Sequence, residues 1–75
     1  MKVFSKEHAI EILNQSKYGS AEYIASASQL ELSQIRRLLT DAFRGNIDKS
    51  SPIAQKKSIG QLNNAVTHFI NTYRR

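Results

Sequence analysis

The sequence predicts an all-α protein, a compact bundle of about four helices, and three observations support this prediction. Apolar residues recur at spacings of three and four, which is the period of one face of an α-helix. Serines stand where helices would begin, and glycines stand where two of them would end. A chain of 75 residues forms one domain, here 1–75, with a single layer of helix packing.

The first helix is predicted near 5–17. Ser5 is a suitable N-cap because its side-chain oxygen can accept a hydrogen bond from a free amide of the first turn. Gly19 ends the segment, since glycine adopts the left-handed conformation of a helix C-terminus without penalty. The apolar face comprises Ala9, Ile10 and Leu13.

A second, short helix is predicted near 20–28, beginning at Ser20. Ala25 would allow another helix to approach closely. The run 28–32 is interpreted as a turn that carries a buried Leu30. The predicted inward face is Tyr23, Ile24 and Ala27.

The third helix has the most complete amphipathic pattern in the chain. Ser33 is its predicted N-cap and Gly45 its predicted end. Its apolar stripe follows the spacing i, i+3, i+4, i+7, i+8 and consists of Ile35, Leu38, Leu39, Ala42 and Phe43.

The C-terminal segment allows two interpretations. Ser51 and Pro52 form an N-cap followed by proline at the first helical position, where its missing amide costs nothing. Ser58 offers a second start, and Gly60 weakens helix formation nearby, so the segment is either one bent helix from 52 or a turn followed by a helix from 59. Ile47, in the preceding connection, is expected to point inward. An apolar seam then follows: Ile59, Leu62, Val66, Phe69 and Tyr73.

Charge and composition favour a polyanionic partner. The formal net charge is +5 and the sequence pI is about 9.9, which suits nucleic acid better than an anionic membrane surface or an acidic protein. The chain has no cysteine, no apolar run suited to a signal peptide and no stretch able to span a bilayer. We therefore expect a cytoplasmic protein without a membrane association.

The segment 21–39 has the residue spacing of a helix-turn-helix unit. Such a unit needs a small residue in its first helix, an apolar residue in the turn and apolar residues facing back from the second helix. Ala25, Leu30, Ile35 and Leu38 occupy these places, and Gln29 stands where glycine is most common. The segment resembles the turn and recognition helix of bacterial and phage helix-turn-helix regulators, at the level of the superfamily.

The resemblance implies a small DNA-binding regulator of transcription or replication whose third helix enters the major groove. It implies base contacts from Ser33, Gln34, Arg36, Arg37 and Thr40. It leaves the phosphate contacts to basic residues nearby: Lys17, Arg44, Lys49, Lys56 and Lys57.

Residues for catalysis or metal binding are not recognisable. His8 and His68 lack partners at ligand spacing, the acidic residues are scattered, and there is no glycine-rich phosphate loop or activated nucleophile. We expect no enzymatic activity, no metal and no cofactor.

Two other functions remain open from the sequence. The C-terminal amphipathic helix could dock on a protein partner, as in a small inhibitor or adaptor. RNA or ribosome binding is the third choice, because the aromatic residues mostly sit at core spacing and offer no stacking platform. The apolar seam and the paired half-sites of helix-turn-helix proteins also predict a homodimer. Its predicted interface is Leu62, Val66, Phe69 and Tyr73.

Overall fold

The computed structural model describes residues 3–74, and the helices in this range confirm the all-α prediction. None of these residues forms a β-strand. The α-helices are α1 (Lys6–Asn14), α2 (Gln29–Phe43) and α3 (Pro52–Tyr73). Two 3₁₀ helices, Ala21–Ser26 and Arg44–Asn46, lie before and after α2.

Helix α1 begins as predicted and ends early. The Ser5 side chain accepts a hydrogen bond from the backbone N–H of His8 at 3.3 Å, which confirms its role as N-cap. Ala9 and Leu13 are buried. The helix ends at Asn14 rather than 17, and the turn that follows closes at Gly19, whose φ of 80° lies in the left-handed region.

The second segment is a 3₁₀ helix rather than an α-helix. It spans Ala21–Ser26, and Ile24 is buried, as predicted. Ala25 is exposed, so its predicted role in the close approach of another helix is wrong. A segment of this length forms few backbone hydrogen bonds, and 3₁₀ helices occur mainly in such short segments.

Helix α2 begins at Gln29, directly after Ser28, and Ser28 is the N-cap of a capping box that the sequence interpretation missed. Ser28 Oγ accepts from the Glu31 N–H at 3.2 Å, and Glu31 Oε1 accepts from the Ser28 N–H at 3.1 Å. The predicted turn over 28–32 is therefore wrong, because two amides are satisfied reciprocally in a helical first turn. Ser33 is not the N-cap, and its hydroxyl donates instead to the Gln29 carbonyl oxygen at 3.2 Å.

The earlier start sets which leucine enters the core. Leu32 is buried, and Leu30, which was predicted to be buried, is 70% exposed. The buried stripe runs at i, i+3, i+7 and i+11 through Leu32, Ile35, Leu39 and Phe43. Leu38 is half-buried beside this stripe, and Ala42 is exposed, so the predicted burial of Ala42 is wrong. The helix ends at Phe43, two residues before Gly45, and Ile47 packs against the core as predicted.

Helix α3 is one continuous helix from Pro52, which resolves the two interpretations of this segment. Ser51 Oγ accepts a hydrogen bond from the Ala54 N–H at 3.1 Å. Gly60 lies inside the helix without ending it, and Ser58 is a buried helical residue rather than a cap.

The seam of α3 belongs mainly to the core of the protomer. Leu62, Val66 and Phe69 are at most 3% exposed, as is Ile70, which the sequence interpretation left out. Assigning those three seam residues to a dimer interface was therefore wrong, because they already pack within the chain. Tyr73 is half-buried, with its ring centroid 5.2 Å from that of Phe69, and Ile59 is 40% exposed. The homodimer itself stays a prediction.

Aromatic side chains bring three parts of the chain together at one end of the core. The Phe4 ring lies 4.8 Å from that of Phe43 and 5.8 Å from that of Phe69, measured between centroids. Helix α2 packs against both α1 and α3, and the first 3₁₀ helix packs against α1 and α3. The arrangement holds the buried stripe of α2 inward and leaves its opposite face in solvent.

The capping box makes a prediction about stability. Ser28→Ala should lower the free energy of unfolding by about 1 kcal/mol, because a first-turn amide loses its partner. Ser33→Ala is the matched control, since the Ser33 hydroxyl bonds only to a carbonyl within the helix, and it should change stability by less than ~0.5 kcal/mol. Chemical denaturation measures both. Equal losses in the two variants would contradict the assignment of Ser28 as the cap.

Gly60 makes a second prediction. A Cβ built at Gly60 meets nothing within 4 Å, and the residue lies inside α3. Gly60→Ala should therefore raise the free energy of unfolding by about 0.5–1 kcal/mol through helix propensity and reduced freedom of the unfolded chain. Gly19→Ala should lower it, because φ there is positive. Thermal unfolding of the two variants should move in opposite directions, and a destabilised Gly60→Ala would refute the argument.

Candidate nucleic-acid interface

The exposed face of α2 carries a shallow recess of about 490 Å³. All of its lining residues come from α2 or the residue that follows it. We call this face the arginine surface; it comprises Ser33, Arg36, Arg37, Thr40, Asp41 and Arg44. It exists because the apolar stripe of α2 faces the core, so residues on the other side of the helix must face water.

The arginine surface has an excess of positive charge. It contains three guanidinium groups and one carboxylate, that of Asp41. Asp41 Oδ1 lies 3.6 Å from Arg44 Nη2, and both side chains are more than half exposed. An exposed pair of this kind contributes only about 0–1 kcal/mol, so Arg44 can exchange Asp41 for a stronger anionic partner at little cost.

Four of the five predicted base-contact residues lie together on this surface: Ser33, Arg36, Arg37 and Thr40. Gln34 lies beside them and is bonded to the turn that follows α1, because the Tyr18 hydroxyl donates to Gln34 Oε1 at 3.1 Å.

The predicted phosphate-contact residues are divided between different faces. Arg44 belongs to the arginine surface. Lys49 lies next to this surface, because it lines a groove of about 300 Å³ between α2 and α3 that Thr40 and Arg44 also line. Lys57 lines a separate recess together with Asn46 and Asp48.

The two remaining lysines also lie off the arginine surface. The Lys17 ammonium lies 5.3 Å from the centre of the ring of Tyr18, the residue whose hydroxyl donates to Gln34. Lys56 is exposed on α3 and lines neither the recess nor the groove. Of the five predicted phosphate-contact residues, Arg44 therefore lies on the arginine surface and Lys49 lies next to it. The other three lie elsewhere: Lys17, Lys56 and Lys57.

Leu30 is the exposed residue that the sequence interpretation missed. It lies in the first turn of α2 and was predicted to be buried. The signal was present in the sequence: Ser28 followed three residues later by Glu31 has the form of a capping box. Reading that signal would have moved the helix start to 29 and turned Leu30 toward solvent.

The connection before α2 differs from the turn that the resemblance implied. It consists of Ala27 and Ser28, between a 3₁₀ helix and α2. Leu30 does not fill this turn, and Gln29 does not adopt a left-handed conformation, since no residue other than glycine among 3–74 has positive φ.

A hydrogen-bond network anchors the N-terminus of α2. The Tyr23 hydroxyl donates to Glu31 Oε2, while Glu31 Oε1 holds the Ser28 amide. These bonds favour the charged carboxylate and lower the pKa of Glu31, with the Tyr23 bond as the largest cause and the Ser28 amide next. The same bond, with the nearby Glu31 charge, raises the pKa of Tyr23.

Other site types are not found in the part of the chain that the structure describes. Within 3–74, no three acidic, histidine or cysteine side chains are grouped so that they could hold a metal ion. None of the helices in this range has the length and apolar character needed to cross a membrane.

Comparison with protein-family models, curated proteins and solved structures finds no significant match to this chain.

The Tyr23–Glu31 bond predicts how stability depends on pH. Because the folded-state pKa of Glu31 lies below its ordinary value of 4.5, its contribution is present above pH 4.5 and is lost as pH falls toward the folded-state pKa. Because the folded-state pKa of Tyr23 lies above its ordinary value of 10.0, its contribution is present below pH 10.0 and is lost as pH rises through the folded-state pKa.

Tyr23→Phe tests this dependence. It removes the hydroxyl that lowers the pKa of Glu31 most, so the fall of Tm between pH 5 and pH 3 should be shallower than in the wild type. The alkaline loss of stability from Tyr23 should vanish. Thermal unfolding followed by circular dichroism, from pH 3 to pH 5 and again above pH 10.0, measures both effects. Identical pH profiles for the two proteins would contradict the assigned bond.

Proposed function

We propose that this protein binds double-stranded DNA through the arginine surface of α2 and acts as a small regulator of transcription or replication. The observation that supports the proposal is the convergence of three arginines on one exposed helix face whose single carboxylate is already paired with Arg44. A duplex presents phosphates and guanine edges, and arginine binds both, at guanine through two parallel hydrogen bonds.

The dimensions of α2 suit the major groove. Its 15 residues extend over about 22 Å at the α-helical rise. The major groove of B-DNA is about 12 Å wide and admits one α-helix. The arginine surface occupies the side of α2 away from the core, so a duplex can approach it without displacing another element.

The residues take different roles in this proposal. Arg36, Arg37 and Ser33 face base edges, with the two arginines suited to guanine. Arg44 and Lys49 bind phosphate groups at the C-terminal end of α2, where Arg44 exchanges its bond with Asp41 for a phosphate.

The two alternative functions have less support. A protein partner docking on the C-terminal helix would need its apolar seam, but Leu62, Val66 and Phe69 are buried. Single-stranded RNA recognition usually requires exposed aromatic platforms, and Phe43 and Phe69 are core residues. In the proposed complex, duplex DNA binds the arginine surface, which the fold leaves exposed to solvent.

The test compares two double variants of equal charge change. Arg36→Ala with Arg37→Ala removes two cations from the arginine surface, and Lys56→Ala with Lys57→Ala removes two cations from α3. A duplex site is first selected from a random pool with the wild type. The arginine variant should keep its Tm and lose several kcal/mol of binding, at about 1–3 kcal/mol per residue, while the lysine variant should lose much less.

A salt titration completes this test. Binding of the wild type should weaken steeply as salt rises, because each phosphate contact releases a counterion. Equal losses in the two double variants would show that overall charge, rather than α2, attracts the duplex. Unchanged binding by the arginine variant would refute the proposal and bring the protein-partner alternative forward.

A further inference from the structure

Leu30 is a large apolar side chain on the same side of α2 as Arg37 and Arg44. It is 70% exposed and lies one turn before Ser33. At about 100° per residue, Leu30, Arg37 and Arg44 fall within about 40° of one line along the helix, and buried Leu39 lies on the opposite side. Leu30 therefore extends the arginine surface toward the N-terminus of α2 with an apolar group.

Leu30 lies on a different helix from the other large apolar residues that are exposed within 3–74. Ile53 and Ile59, the other large hydrophobic residues exposed within 3–74, both lie on α3. The carboxylate of Glu31, the neighbour of Leu30, accepts hydrogen bonds from the Ser28 N–H and the Tyr23 hydroxyl. The first turn of α2 thus presents a branched apolar side chain without an adjacent free carboxylate.

We propose that Leu30 contacts the C5-methyl group of a pyrimidine in the major groove, an inference that rests on the DNA-binding function proposed above. The C5-methyl of thymine is the apolar group that a base pair displays in this groove. A leucine offers no hydrogen bond to phosphate or to polar base edges, so the methyl group is the feature that it complements. A 5-methylcytosine displays the same methyl group and is the second source of this chemistry.

The spacing along α2 indicates where the methyl group lies. Leu30 and Arg37 are separated by seven residues, which is about 10.5 Å along an α-helix. Successive bases rise by about 3.4 Å. With α2 lying along the groove, the methyl-bearing pyrimidine is at most about three base pairs from the guanine that Arg37 contacts.

The expected effect is small and measurable. Removing one buried methyl group should weaken binding about fourfold, which corresponds to about 0.8 kcal/mol. The effect should require the leucine, and it should be confined to one or two positions of the site.

The experiment uses the selected duplex with each thymine in turn replaced by deoxyuridine, which lacks the methyl group. The wild type should lose about fourfold in affinity at the contacted position. Leu30→Ala should bind the two duplexes equally. Ile53→Ala is the matched control, because it truncates an exposed apolar residue on α3, and it should retain the wild-type preference.

A parallel series distinguishes the two sources of the methyl group. Each cytosine is replaced by 5-methylcytosine; tighter binding that Leu30→Ala abolishes, without any deoxyuridine effect, assigns the contact to methylated cytosine. Wild-type binding that is indifferent to both replacements overturns the inference while the DNA-binding function stands. Absence of duplex binding by the wild type overturns both.

Discussion

Burial of one stripe of α2 against the rest of the chain is the constraint on which the other features depend. Leu32, Ile35, Leu39 and Phe43 are nearly inaccessible to solvent, and α2 packs against both α1 and α3. A domain of this size buries a modest fraction of its surface, so a single helix stripe is a large part of its core. Once that stripe faces inward, helical geometry places Leu30, Arg37 and Arg44 outward together.

The N-terminus of α2 is held by its own side chains, which affects how the helix can meet an anion. A free helix N-terminus attracts phosphate through its unpaired amides and its dipole. In α2, Ser28 and the Glu31 carboxylate already occupy that end, and Tyr23 fixes the carboxylate in place. In the proposed DNA complex, contacts to the polyanion are therefore left to the arginine side chains farther along the helix, where Asp41 is the only carboxylate lining the recess.

The inward orientation of α3 bears on the choice among functions. An amphipathic helix whose apolar seam is exposed invites a protein partner, and here most of that seam completes the core. The charged face of α2 is free. The proposed DNA contact and the proposed role of Leu30 use this one face, with arginines for polar base edges and phosphate and a leucine for a methyl group. Both follow from which side of α2 the core leaves in solvent.

The sequence by itself determined the helical class, the start of α1 and most of the buried stripe of α2, and it gave the start of α3 as one of two alternatives. Ser5 and Ser51 each accept a hydrogen bond from an amide in the first turn of the helix that they cap, and Ile35, Leu39 and Phe43 follow a helical period. Tertiary structure decided whether the second segment is α or 3₁₀, and where the seam of α3 packs. These outcomes depend on contacts with residues distant in sequence, because an apolar period shows that a face will be buried without showing which element covers it.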